Sequence, residues 1–188
     1  MTFFDEATET LPREQLAALQ LDKLQKMMAE LWGRNKFYTA KWQAAGVQPS
    51  DIRTLADLAK LPMTKKGELM DDQAADGPFG SNLTYPVEAY VRMHQTSGTT
   101  GVPLKVMDTH ESWDWWGRCW GHVLAGAGVT ASDRLFMAFA FGPFIGFWAA
   151  VEGARKIGAV MIPGGGRDSQ QRLELMREAG ATILCCTP

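Results

Sequence analysis

From Arg13 to about Asn35, apolar side chains recur at helical spacing (Ala17, Leu21, Leu24, Met28, Leu31), while Lys23, Lys26 and Glu30 fall on other faces. That period predicts an amphipathic helix. Two shorter helical stretches follow: "FYTAKWQAAG", ending at Gly46, and "DIRTLADLAK", ending before Pro62, with Ser50 or Asp51 placed to cap the second. Another begins at Thr64, where Thr64 and Glu68 bracket "TKKGE". Residues 1–84 thus read as a helical N-terminal section.

After Tyr85 and Pro86 the period changes. "AYVRMHQ" (89–95) and "PLKVMD" (103–108) read as strands on either side of a loop rich in hydroxyls. A helix begins near Asp108 or Thr109, with Glu111 available for a capping box, and carries Trp113, Trp116 and Trp120 on one face. Then come a strand in "RLFMAFA", a helix over "WAAVEGARKIG", a strand in "AVMIP", a helix over "SQQRLELMREAG" and a strand in "TILCC". Alternating strand and helix predicts an α/β fold, a mainly parallel sheet with flanking helices over 85–188. Because the last strand has the apolar run of an interior strand and no covering helix after it, the sequence is expected to be the first part of a longer protein.

Composition narrows the function. The chain is 46% apolar and 21% charged, ordinary for a globular protein, and its formal charge of −2 supplies no positive field for nucleic acid. Cys119 stands alone and Cys185 adjoins Cys186, which is neither a disulfide framework nor a zinc spacing and suits a reducing, cytoplasmic setting. "MTFFDEATETLPRE" is acidic where an export signal needs a basic start. The most apolar segment, 135–151, is broken by Gly142, Pro143 and Gly146 and is too short for a membrane span, so it reads as core plus pocket wall.

The loop in "HQTSGTTGVPLKV" (94–106) is the strongest chemical signal. Small residues between two strands let backbone N–H groups turn inward, hydroxyls add donors, and glycines permit close approach, which together make a phosphate cradle. A solvated turn has the same composition. It is not a Walker loop, since Gly98 is followed by Thr99, Thr100 and Gly101 without a Lys-Ser/Thr pair.

"TSGTTGVP" resembles the phosphate-binding signature of the adenylate-forming (AMP-binding) enzymes. Five blocks, in order, resemble the phenylacetate-CoA ligase branch: "LPREQLAALQLDKL", "FYTAKWQAAGV", "DIRTLADLAKLPMTKKGEL", "VRMHQTSGTTGVP" and "GARKIGAVMIPGGG". The resemblance implies two steps. A carboxylate attacks the α-phosphate of ATP, releasing pyrophosphate and leaving an acyl-adenylate; the thiol of coenzyme A then displaces AMP. It implies phosphate contacts from Thr96, Ser97, Gly98, Thr99, Thr100 and Gly101, and Mg²⁺ accompanying ATP without a protein ligand among these residues. Family members often carry a lysine beside the proline; here Val102 and Leu104 stand there, and Lys105, the nearest cation, is the candidate for a phosphate contact, with a solvated strand lysine as the other reading.

The same resemblance places an aromatic acid against Phe141, Gly142, Phe144 and Gly146, with Phe136 and Phe139 as core, and nucleotide- or acyl-adjacent backbone at Gly165 and Gly166. Ile145, Phe147 and Trp148 are bulkier than the residues matched in phenylacetate-CoA ligases, which points to an acid other than phenylacetate. His94, His110 and His122 lack catalytic partners in sequence and read as structural, and the tryptophans as core or subunit-interface packing. In the family the adenine and ribose contacts and a catalytic lysine lie beyond the matching residues, so no catalytic residue is assigned and the chain alone is expected to lack a complete active site. Two other readings share the loop: an adenylating enzyme that hands its acyl group to a carrier protein, and a non-catalytic binding or dimerisation module. Homodimers occur in the family.

Overall fold

Helix α2 (Arg13–Leu31) follows Pro12, whose missing N–H costs nothing at a helix start, and ends before Gly33, whose φ of +78° no side-chain-bearing residue adopts readily. It stops four residues short of the predicted Asn35 because Asn35 caps the next helix instead. Asn35 is buried; its side-chain oxygen accepts the Tyr38 N–H at 3.0 Å, opening α3 (Lys36–Ala44), and its amide donates to Asn82 O at 3.0 Å and Thr84 Oγ1 at 3.1 Å. One side chain thereby ties a helix start to a segment 47 residues away.

The computed structural model describes residues 3–98 and 101–187 and divides into two compact units, residues 10–107 and residues 1–9 with 108–188. In the first, Met28, Trp42, Val47 and Ile52 form a core that Leu21, Leu24 and Leu31 of α2 extend. The predicted helix over 51–60 is instead two short 3₁₀ turns, Pro49–Asp51 and Leu55–Lys60. The physical reason lies in Asp57, which accepts from the Arg53 N–H at 3.0 Å, the Thr54 N–H at 2.7 Å and the Thr54 hydroxyl at 2.9 Å. These bonds draw the backbone back on itself before an α-helical turn can propagate. Helix α4 (Lys66–Ala75) opens with Glu68 accepting the Lys65 N–H at 2.6 Å.

Lys60, then the Arg53 N–H and the Thr54 hydroxyl and N–H, hold the Asp57 carboxyl well below the usual carboxylate range. A depressed folded pKa stabilises the turn above the unfolded value of about 4 and loses that contribution as pH falls further, through the folded pKa. We expect Asp57 to remain ionised at about pH 3, where free aspartate is mostly protonated. Carboxyl NMR titration reads this directly, and an inflection near the free value would contradict it.

Strands β1 (Tyr90–Gln95) and β2 (Lys105–Thr109) form a two-stranded sheet of their own, separate from the parallel one. In the second unit, β3 (Arg134–Met137) lies between β4 (Val160–Pro163) and β5 (Ile183–Cys185), parallel to both, with Leu135 opposite Met161 and Ile183. Leu135, Phe136 and Met137 have no exposed surface, as a central parallel strand requires. The parallel α/β expectation is met here.

Helices α5 (His110–Gly126) and α6 (Ile145–Ile157) pack closely, with Gly153 against the Trp120 backbone and Gly117 against Glu152 and Lys156. α5 is capped by Thr109, whose hydroxyl accepts the Ser112 N–H at 3.2 Å; the Ser112 hydroxyl in turn donates to Asp108 at 3.0 Å, and Glu111 takes no part in these bonds. The short α1 (Glu6–Glu9) is fastened to α5 by Arg118–Asp5 at 3.1 Å and His122–Glu9 at 3.0 Å, with the Phe4 ring over Gly121. Of the tryptophans, Trp113 is buried, Trp120 packs on the core, and Trp116 is 40% exposed, so the stripe is only partly core. Helix α7 (Ser169–Glu178), capped by Asp168, completes the unit. Among the described residues no helix is long and apolar enough to cross a membrane.

Candidate functional site

The loop between β1 and β2 is pinned at its base. Thr96 N–H donates to Leu104 O at 3.0 Å, and Leu104 N–H donates to the Thr96 hydroxyl oxygen at 3.1 Å. The Thr96 hydroxyl is thus an acceptor within the hairpin while its own proton stays available. Gly101 N–H closes a smaller turn onto Gly98 O at 2.9 Å. Gly98 has φ +66°, and a Cβ there meets Gly101 O and Pro103 Cγ at 2.9 Å each, so only glycine fits without displacing backbone and a rigid ring. Ser97 and Gly101 are exposed at the tip. Thr99 and Thr100 lie outside the described residues.

Lys105 starts β2 and is partly buried beside a cavity of about 250 Å³, bordered also by Met70, Asp71 and Gln73 of α4 and by Val102 and Pro103. Gln73 brackets the residue: the Lys105 N–H donates to Gln73 Oε1 at 3.1 Å, and Gln73 Nε2 donates to Lys105 O at 2.6 Å. Sequence reading missed Gln73. A polar residue on a short helix gives no local sign of a partner 32 residues later.

The predicted acyl wall is an aromatic cluster in the other unit. Phe139 is buried and stacks on Phe147 with centroids 3.8 Å apart; Phe141 meets Trp148 at 4.8 Å; Phe144, 46% exposed, meets Phe147 at 5.3 Å. Phe136 and Phe139 are core residues, as the pattern predicts. Gly142 is exposed, and its carbonyl accepts the Trp148 indole N–H at 2.8 Å, closing the segment that leads into α6. A Cβ on Gly146 meets the Phe144 ring at 3.1 Å. Phe141 and Phe144 therefore flank a glycine-lined turn whose far side is occupied by Phe147 and Trp148.

At the end of β4, Gly164 and Gly165 let the chain lie against the end of β3. A Cβ on Gly164 meets Met137 O at 2.7 Å and the Phe136 ring at 2.6 Å; one on Gly165 meets Phe139 O at 3.1 Å. Gly166 supplies a positive φ of +71° with open space around it. Gly164, which the sequence analysis passed over, is the tightest of the three. These residues sit at the carboxyl ends of neighbouring parallel strands, the edge where such sheets receive ligands. His94 is buried on β1. Among the described residues no group of three or more His, Cys, Asp or Glu side chains is placed to hold a metal ion.

No family model matches the chain. Among curated proteins it is 33% identical to a phenylacetate-coenzyme A ligase of Aromatoleum evansii over 97% of its own length and 40% of the relative's. It is 34% identical to the phenylacetate-coenzyme A ligase of Escherichia coli over 96% of its own length and 40% of the relative's. The chain thus spans about 40% of the length of the curated relatives it matches. Among solved structures, 2-hydroxyisobutyryl-CoA ligase with its acyl-adenylate and CoA superposes in an open conformation with a TM-score of 0.87 at 27% identity, covering 95% of this chain and 42% of that one. In its thioesterification state the TM-score is 0.81 at 30% identity, covering 90% and 36%.

Proposed function

We propose that this chain, a homologue of phenylacetate-coenzyme A ligases, carries part of an enzyme that activates an aromatic or arylacetic acid through an acyl-adenylate to a coenzyme A thioester. The observation that carries the reading is the 96–104 loop, pinned at its base by Thr96 and Leu104, fitted only by glycine at position 98, and exposing Ser97 and Gly101. In this reading Ser97 and the backbone N–H groups of the tip hold the β- and γ-phosphates that leave as pyrophosphate, Thr96 donates its remaining hydroxyl proton, and Thr99 and Thr100 contribute further donors. Catalysis of such a displacement consists largely of positioning and charge stabilisation, which fixed amides supply. ATP and coenzyme A are the co-substrates, with Mg²⁺ neutralising the phosphates.

Phe141, Gly142, Phe144 and Gly146 bound the acid, and the bulk of Phe147 and Trp148 selects a ring other than that of phenylacetate. Gly165 and Gly166 bring backbone up to the same strand ends. The reading includes a cytoplasmic setting, where the three free cysteines stay reduced, and a homodimer, for which half-exposed Trp115 and Trp116 offer apolar surface. The test is carboxylate-dependent ATP/pyrophosphate exchange by this chain and by the longest product of its gene, with a panel of aryl and arylacetic acids plus 2-hydroxyisobutyrate. We expect exchange with an aryl acid by the longest product. Exchange without a coenzyme A thioester on adding the thiol favours a carrier-protein acceptor. Absence of both exchange and ATP binding leaves the loop a turn in a binding module.

A further inference from the structure

Gln73 has no chemistry of its own in the proposed reaction, yet its side chain bonds both the N–H and the carbonyl of one residue of β2. Its carboxamide accepts the Lys105 N–H at 3.1 Å and returns an N–H to the Lys105 carbonyl at 2.6 Å, the pair of bonds a neighbouring strand residue exchanges with its partner. A longer donation reaches Phe79 O at 3.4 Å and anchors the amide to the segment after α4. Residue 105 is thereby fixed at both its N–H and its carbonyl, two residues after the proline that closes the loop.

The Lys105 side chain is in a different position. It is partly buried, and among the described residues no carboxylate pairs with it. It borders the cavity beside the loop's returning arm with Met70, Ala74, Val102 and Pro103; Asp71 shares that lining but makes no ion pair with it. A lysine on an otherwise mostly apolar wall, with no carboxylate partner among the described residues, has its charge open to an anion brought by a ligand. A long, flexible lysine finds such an anion only if its stem leaves the backbone in the right place.

We propose that Gln73 is a positioning residue: by bracketing the Lys105 backbone it aims the Lys105 ammonium at the phosphate anion held by the 96–104 loop. This rests on the phosphate reading of that loop. The clamp grips backbone, so replacing the lysine side chain leaves it in place, and the two contributions separate cleanly.

The experiment is equilibrium binding of inorganic pyrophosphate to the chain by titration calorimetry, for the parent, Gln73→Met, Lys105→Ala and the double variant, with melting temperatures alongside. Lys105→Ala is expected to weaken binding about tenfold, the loss of one charge-assisted contact. Gln73→Met is expected to weaken it about fivefold, and in the Lys105→Ala background to have less than about a twofold effect. A Gln73→Met protein that binds as the parent does, with only its melting temperature lowered, overturns the proposal. So does a fivefold loss that persists without Lys105. If Gln73→Met does not fold, Gln73→Ala takes its place, and failure of both shows a structural role in place of the positioning one. Absence of pyrophosphate binding by the parent removes the phosphate reading and this proposal together, an outcome distinct from the others.

Discussion

Alanine at position 98 is expected to slow acid-dependent ATP/pyrophosphate exchange by about a hundredfold, the loss typical when preorganised donors are misdirected. The residue sits at φ +66°, where a side chain costs about 1–2 kcal/mol. The added methyl also has nowhere to go: its Cβ lies 2.9 Å from Gly101 O and 2.9 Å from Pro103 Cγ. One neighbour is backbone and the other a ring that cannot rotate away. Relief comes only by opening the turn that the Gly101 N–H closes onto Gly98 O, which re-aims the N–H groups at the tip. The hairpin base at Thr96 and Leu104 is untouched, so the melting temperature should fall by only several degrees, about 2–4 °C per kcal/mol, while exchange falls far more. Ser97→Ala, which removes one exposed hydroxyl without moving backbone, is the graded comparison, with a loss of about tenfold. Unchanged exchange in both variants is incompatible with a phosphate cradle in this loop.

Much of this architecture is legible in the order of residues because each signal is local. The apolar period of α2, the strand-helix alternation after residue 133 and the glycine-rich loop all act within a few residues, and the elements appear close to where the pattern puts them. The misses have one cause. Asn35, Gln73 and Asp57 look like ordinary surface polar residues, yet their hydrogen bonds decide where a helix starts, how β2 is held and why 55–60 is a 3₁₀ turn. Two of the three act across 32 and 47 residues, so only the folded chain reveals them. The separation of β1 and β2 from the parallel sheet is likewise a matter of tertiary partners, since strand propensity does not say which strand pairs with which. At the aromatic segment the rings cluster, and no local pattern shows that Trp148 is tied to the Gly142 carbonyl.

Alanine at position 153 is expected to destabilise the 108–188 unit by about 2–3 kcal/mol, against the gain of about 1 kcal/mol that replacing a helical glycine ordinarily brings. The cause is the contact of α6 with α5. A Cβ at Gly153 falls 2.4 Å from the Trp120 Cβ and 2.9 Å from the Trp120 carbonyl carbon, so the methyl meets a helix backbone that can yield only by moving as a whole. That movement pulls Ala150 and Ala154, both fully buried, away from Leu135 and Met137 of the sheet core. Gly117, on the facing helix, is the control. Its Cβ meets Glu152 Cγ at 2.6 Å and Lys156 Cε at 2.7 Å, parts of flexible side chains that can swing toward solvent. Gly117→Ala is therefore expected to be neutral within about 1 kcal/mol, the helix-propensity gain offsetting the displaced Lys156–Asp114 ion pair. Urea unfolding followed by tryptophan fluorescence, with Trp113 and Trp120 as reporters on α5, measures both. Equal stability of the two variants means that α5 and α6 slide past each other freely, and the close glycine-mediated packing is then not what holds the helical layer on the sheet.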